Sequence, residues 1–249
     1  CLMLDYALKS LYTTNKQQEV HMFFSPDFNP YVAIIGDLQD SRQLEDRLQV
    51  QEKLKATLNF INESYSADIA SKFTITLGDE FQGLLNNGAN IMSIIAVIQH
   101  RMQPVNIRFG IGVGDVTTTI NRDLAIGADG PAYYKARQAI DHLKSSSKRH
   151  GVPKADIRLE VDGKDQGTVM LLNTILVLLT TIKSSWTDRQ REIIWDMLEH
   201  NDSQTAVGDR LGIKQSSVHK SLSGANFNTY REALLQVEEV LGEIRRTDV

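Results

Sequence analysis

The chain has 249 residues, 41% of them hydrophobic and 23% charged, with a net charge of −4. That composition supports one large or two smaller folded domains and excludes a chain that must stay disordered. The acidic balance excludes bulk attraction to nucleic acid or to an acidic membrane surface, so any DNA contact has to come from a local basic patch.

Cys1 is the one cysteine, so no disulfide can form within the chain, which fits a reducing cytosol and a cytoplasmic location. The first twenty residues lack a basic start and an unbroken apolar run, so they do not read as a signal peptide. Because the sequence opens on Cys rather than Met, the true start is expected upstream or at Met22. Residues 1–30 read as an extension closed by the turn signal SPDFNP.

YVAIIGD (31–37) is a short apolar run ending in Gly-Asp, which suits a buried strand. From Ser41 to about Asn62, Leu44, Leu48, Leu54, Leu58 and Ile61 recur at helical spacing, with Ser41 placed to cap the helix. FTITLGDEFQGLL (73–85) reads as two strands around a tight turn that carries Asp79 and Glu80. A second helix is expected over 90–102. In NIRFGIGVGDVTTTI (106–120) Ile107, Phe109, Ile111 and Val113 alternate as in a strand, and Thr117–Thr119 reflect β propensity. LAIGADGPAYYKARQAIDHL (124–143) should start as a strand, turn at Gly-Ala-Asp-Gly and become a helix with Pro131 in its first turn. DIRLEVDG (156–163) is another strand.

The order β-α-β-β-α-β is that of a ferredoxin-like α/β (α+β) plan. VMLLNTILVLLTTI (169–182) is shorter than the roughly 20 apolar residues of a membrane span and contains Asn173, so no membrane is expected as a partner. Its stripe of Leu171, Ile175, Leu178 and Ile182, with Leu172, Leu176 and Leu179 beside it, predicts a helix buried on more than one side, in the core or between subunits. The domains are then an extension over 1–30, an α/β domain over 31–167, a connecting helix over 168–183 and a C-terminal unit over 184–249.

In a ferredoxin-like sheet the first strand neighbours the hairpin, so Asp37 and Asp79 could face each other. Two hard oxygen ligands at that spacing suit Mg, with Mn as its substitute, and two such ions would clamp a phosphoryl transfer. The bland alternative is a strand-end residue or cap at Asp37 and plain turn acids at Asp79 and Glu80.

YVAIIGD, LGDEFQGLL, RFGIGVGDV and IGADGPAYYKAR, in that order, resemble the catalytic domain of class III nucleotide cyclases over about residues 31–145. GDEF also resembles the signature turn of diguanylate cyclases. The whole chain resembles the bacterial SatD family, a cyclase-like domain followed by a helix-turn-helix. The resemblance implies that Asp37 and Asp79 bind metal, and that a nucleoside triphosphate sits at a helix start after Asp37, within reach of Ser41 and Arg42. Arg42 as a solvated first-turn residue is the competing reading. The sequence departs from the cyclase pattern where an Asn and then an Arg would serve the transition state. Tyr134 stands in the Asn position, and the nearest basic residues are Lys135 and Arg137. Arg137 falls one residue short, about 100° of helix rotation. No lysine lies just before Gly78 to read a purine edge. Metal and phosphate binding therefore match the cyclase pattern better than cyclisation does.

In the C-terminal unit Thr187 can cap a helix through Leu198. SQTAVGDRLG is a short helix ended by Gly212, and IKQSSVHKSL follows after a short turn. This stretch resembles the helix-turn-helix of LuxR-type regulators and sigma factors, with Leu211, Ile213, Val218 and Leu222 as its core. If it binds double-stranded DNA, the second helix would present Lys214, Gln215, Ser216, Ser217, His219 and Lys220 to the major groove. The alternative is a helical module for packing or protein contacts. Taken together, the sequence predicts a cytoplasmic homodimeric DNA-binding regulator whose cyclase-like domain binds a nucleotide with Mg. The alternative is an active cyclase or nucleotidyl-transfer enzyme with an accessory helix-turn-helix.

Overall fold

The computed structural model describes residues 23–24, 28–39, 46–125, 127, 129–152, 154–200 and 202–246. It is a mixed α/β structure that separates into two compact units. The first contains the described residues up to Val177 together with those from Val237 onward, and the second contains Leu178–Gln236.

The first unit is built on a five-stranded sheet of order β2-β3-β1-β4-β5. Its strands are β1 (Tyr31–Leu38), β2 (Ile69–Leu77), β3 (Glu80–Leu85), β4 (Ile107–Gly114) and β5 (Ile157–Val161). Strand β1 is central and antiparallel to both β3 and β4, while β4 and β5 run parallel. Seven of its eight residues are buried, the near-continuous apolar run of a strand covered on both faces.

Helix α1 (Arg47–Ser64) starts later than its periodicity predicts. Asp46 supplies the N-cap, its carboxylate accepting from the Gln49 N–H at 3.0 Å. The cap expected at Ser41 lies outside the described residues. Helix α2 (Ile91–Met102) is apolar almost throughout and nearly all buried. Its first turn is held by Glu238, whose carboxylate accepts from Met92 N at 2.7 Å, from Ser93 N at 3.2 Å and from Ser93 Oγ at 2.7 Å. A carboxylate there satisfies free N–H groups and the positive end of the helix dipole.

Helix α3 (Pro131–Ser147) starts with proline at its first turn, as expected. It lies unusually close to β4. A Cβ on Gly112 would fall 2.1 Å from the Ala132 carbonyl, and one on Gly110 would fall 2.3 Å from that of Ala136. The alternating glycines of RFGIGVG therefore make a flat track for Ala132 and Ala136. The expected strand at the start of 124–143 is absent among the described residues, where 124–125 have no regular structure.

Helix α4 (Gln166–Ser184) has 19 residues, longer than its apolar stretch, because polar residues continue it at both ends. By length and composition it is apolar enough to cross a membrane. One stripe of it is buried, through Val169, Leu172, Leu176 and Leu179, while Met170, Leu171 and Leu178 are exposed. Burial on more than one side is thus not seen among the described residues. Asn173 explains its place in an apolar run. Its side-chain oxygen accepts from Leu159 N at 2.9 Å and its nitrogen donates to Leu159 O at 2.8 Å. It pairs the outer edge of β5 as another strand would.

The second unit holds the end of α4, then α5 (Asp188–His200), α6 (Gln204–Leu211), α7 (Gln215–Gly224) and most of α8 (Phe227–Leu241). Its core is Trp186, Ile193, Ile194, Leu198, Val207, Val218, Leu222, Phe227 and Tyr230. Thr187 and Gln190 exchange hydrogen bonds in a capping box before α5. Ser203 caps α6 through Ala206 N. Gly212 ends α6 at φ 64°, the left-handed conformation that glycine adopts without strain.

Candidate functional site

Pairing across the sheet determines what meets Asp37. In register, Asp37 faces Glu80 of β3 on one side and Arg108 of β4 on the other. Asp79 occupies the two-residue turn before Glu80, where Gly78 takes φ 54°. Its carbonyl accepts from Leu38 N at 2.9 Å. Asp37 and Asp79 therefore come to the same end of the sheet, but the residue directly across from Asp37 is Glu80.

Three cations converge there. Arg108 Nη1 lies 3.1 Å from Asp37 Oδ2. From the last turn of α3, Lys144 Nζ lies 2.8 Å from Asp37 Oδ1 and 3.1 Å from Glu80 Oε1. Arg137 Nη1 donates to both Glu80 oxygens, at 2.9 and 2.8 Å. Asp37 and Glu80 are buried, and such carboxylates remain charged when opposite charges and hydrogen bonds hold them. Burial pulls the Lys144 ammonium toward neutrality, but its hydrogen bonds to Asp37 and Glu80 outweigh that and hold its pKa above the ordinary lysine value.

Arg137 and Lys144 are seven residues apart, two turns of one helix face. Arg137 thus reaches the Asp37 end despite its offset from the cyclase spacing. Lys135 points elsewhere and lies 3.8 Å from Asp162. Sequence reasoning missed Lys144, Arg108 and the direct role of Glu80. The seven-residue spacing of Arg137 and Lys144 was a readable signal; the register bringing Arg108 beside Asp37 was not.

At the other end of α3, Tyr134 donates to Asp129 Oδ2 at 2.7 Å, and this bond raises the phenol pKa. The threonine run expected as β structure has another role. Thr117 N and Oγ1 donate to Asp129 O, and Thr118 Oγ1 accepts from Asp129 N. Those bonds shape the loop that feeds Pro131 into α3. Ser41 and Arg42 lie outside the described residues.

The fit of a divalent ion can be judged from the donor set. Each of the four oxygens of Asp37 and Glu80 already accepts from a basic side chain. The three cations match the three carboxylates of Asp37, Asp79 and Glu80 in charge. Among the described residues no group of three His, Cys, Asp or Glu is arranged to hold a metal. As arranged, these residues do not fit Mg, because Lys144 occupies the bridge between the two strands.

In the second unit Lys214, Gln215, Ser216, Ser217, His219 and Lys220 are all exposed, while Val218 and Leu222 are buried. Leu211 and Ile213, expected in the core, are half-buried. The approach of α6 to the start of α7 depends on Gly208, where a Cβ would fall 2.7 Å from the Ile213 carbonyl. Arg210 is not available to a ligand, since Asp196 and Asp202 both pair with it.

A comparison with curated proteins finds no match. Among solved structures, the catalytic core of a rhodopsin-guanylyl cyclase with converted specificity, in complex with ATPalphaS, is 15% identical with a TM-score of 0.34. The match covers 44% of this chain and 71% of that one. The SatD family matches residues 31–241, which span both the sheet with its charged end and the exposed helix α7, and the chain belongs to the SatD family.

Proposed function

We propose that the protein is a DNA-binding regulator whose sheet-bearing unit binds a nucleotide. The observation that carries this reading is α7. It follows a short helix and a glycine turn, it exposes Gln215, Ser216, Ser217, His219 and Lys220 with Lys214 at its N-cap, and no acidic residue occurs from Gly212 to Arg231. That local basic face is what an acidic chain needs to approach phosphate, and glutamine and lysine are side chains that read adenine and guanine edges. Helices α6 and α7 with Gly208 and Gly212 support the helix-turn-helix reading. The strand order and the β-α-β-β-α-β sequence of the first unit support the ferredoxin-like, cyclase-like reading.

The nucleotide part rests on Arg108, Arg137 and Lys144 at one end of the sheet, with Arg137 and Lys144 partly exposed. Guanidinium and ammonium groups are the usual partners of phosphate. A homodimer belongs to the same proposal, because regulators of this kind read paired half-sites. The exposed Met170, Leu171 and Leu178 of α4 are consistent with a second copy.

The enzymatic reading is favoured by one observation, that Arg137 reaches the Asp37 end of the sheet. Tyr134 in place of the expected Asn opposes it. Two measurements test the proposal. Thermal shift against the four nucleoside triphosphates should show stabilisation by at least one of them. Fluorescence anisotropy against genomic fragments should show salt-dependent binding. Salt-independent or absent binding overturns the regulator, and turnover of a triphosphate by the protein would favour the enzyme.

A further inference from the structure

We propose that Lys144 replaces the divalent cation at the Asp37 end of the sheet, so that the site is charge-balanced without metal. This deepens the nucleotide reading above and rests on it only for the ligand. The geometry is that of a bridging ion. One ammonium nitrogen contacts a carboxylate oxygen from each of two adjacent strands, at 2.8 Å on Asp37 and 3.1 Å on Glu80. Arg108 and Arg137 close the remaining sides. A divalent ion entering between Asp37 and its neighbours would meet three positive charges at contact range. It could bind only after Lys144 left both carboxylates.

The substitution has a chemical consequence. A metal in this position would link protein carboxylates to phosphate oxygens. Lys144 and Arg137 can contact a phosphate themselves, because each has donors beyond those used here. Lys144 is 37% exposed and Arg137 41%, whereas Asp37 and Glu80 are buried behind them. The side-chain heads of Lys144 and Arg137 that reach solvent are therefore cationic, with Asp79 half-buried at the same end. The ligand class that follows is a phosphate-bearing nucleotide held by lysine and arginine, with no metal required.

The decisive experiment is a Mn²⁺ titration of the nucleotide-free full chain, followed by electron paramagnetic resonance. Wild type and Asp37→Asn are expected to bind Mn²⁺ indistinguishably. Lys144→Met is expected to bind it about tenfold more tightly or better, since a unit charge at contact distance is removed. Adding Asp37→Asn to Lys144→Met should abolish that gain, and Lys144→Arg should not produce it. Wild-type Mn²⁺ binding that Asp37→Asn abolishes overturns the proposal, and this comparison decides it even if Lys144→Met does not fold. A second readout uses ATP and GTP in thermal shift. Equal stabilisation in EDTA and in Mg²⁺ supports the proposal, and stabilisation that appears only with Mg²⁺ overturns it. If none of the four nucleoside triphosphates shifts the wild type under either condition, the nucleotide reading fails, while the Mn²⁺ titration still decides the role of Lys144.

Discussion

The two charged regions of this chain use the same side chains in opposite ways. At the end of the sheet, Arg108, Arg137 and Lys144 lie against buried carboxylates. At the N-cap of α7 and on α7 itself, Lys214 and Lys220 stand exposed on a stretch with no acid. The difference follows from where the backbone ends. Strand pairing places carboxylates in the interior, where an unpaired charge is prohibitive. A short surface helix imposes no such demand, so its lysines contribute little to folding and stay available to a partner. Arg210 shows that the rule is one of position rather than of unit. It lies in the same unit as α7, yet Asp196 and Asp202 hold it, and it in turn holds the Asp202 pKa below the usual carboxylate range.

The strongest test of this contrast removes the buried anion. Asp37→Ala leaves Arg108 and Lys144 facing each other without their shared partner, and breaking such a pair costs about 3 kcal/mol. The transition of the sheet-bearing unit should fall by roughly 6–12 °C, given ~2–4 °C per kcal/mol for a chain of this size. Thermal unfolding followed by circular dichroism reads the shift, and chemical denaturation reads the free energy. A loss below about 1 kcal/mol would mean that the cluster is as weak as an exposed pair, and the contrast would disappear.

The second test asks whether the exposed face is as firmly built as the buried one, although it is polar. Gly208→Ala drives a Cβ toward the Ile213 carbonyl and should cost about 2 kcal/mol by overpacking. It should act on the C-terminal unit and leave the sheet-bearing unit unchanged, as seen by tryptophan fluorescence of Trp186 and Trp195. Unaltered stability would show that the turn between α6 and α7 adapts freely and does not fix how α7 is presented.

Much of this was legible because it depends on local pattern. The hairpin at Asp79, proline at the start of α3, Gly212 at the end of α6 and the burial of Val218 and Leu222 all follow from turn chemistry and periodicity. The charged end of the sheet was only half legible. Asp37 and the hairpin acids stood out, but Glu80 rather than Asp79 is the cross-strand neighbour of Asp37, which only register can decide. Lys144 does not stand out in the sequence, because a lysine near a helix end ordinarily reads as solvated. The alternation in RFGIGVG reads as a strand, yet its glycines carry more information. They mark the face where α3 approaches β4, and an outward strand face would have carried polar residues instead.

A third test uses pH. Tyr133 is buried and its hydroxyl has no partner among the described residues, and burial pushes its pKa up to about 12. The Lys144 pKa is raised as well. For both groups the folded value exceeds the unfolded one, so the stability they contribute is complete below the unfolded pKa and is lost as pH rises through the folded pKa. Stability should hold to about pH 10, the ordinary tyrosine value, and decline above it. Tyr133→Phe removes an unsatisfied buried hydroxyl and should raise stability at neutral pH by about 1 kcal/mol. It should also flatten the alkaline decline to the part that Lys144 and Tyr134 carry. A Tyr133→Phe variant less stable than wild type would show that the hydroxyl is used.

The smallest expected change in stability belongs to Lys214→Ala combined with Lys220→Ala, and it sharpens the contrast most. Both side chains are exposed, so the double variant should unfold within about 0.5 kcal/mol of wild type. Its effect should appear only in binding. If each lysine neutralises one phosphate, the slope of log affinity against log salt should fall by about 0.9 for each, and affinity should drop for all sequences alike. If either lysine reads guanine, its loss should relax one position of the site at a cost of roughly 1–3 kcal/mol. Anisotropy at two salt concentrations, with the single and double variants, separates the two roles. A double variant that binds as wild type does would return α7 to the class of ordinary solvated helices. The cations at the sheet end would then be the chain's better-supported contact with phosphate.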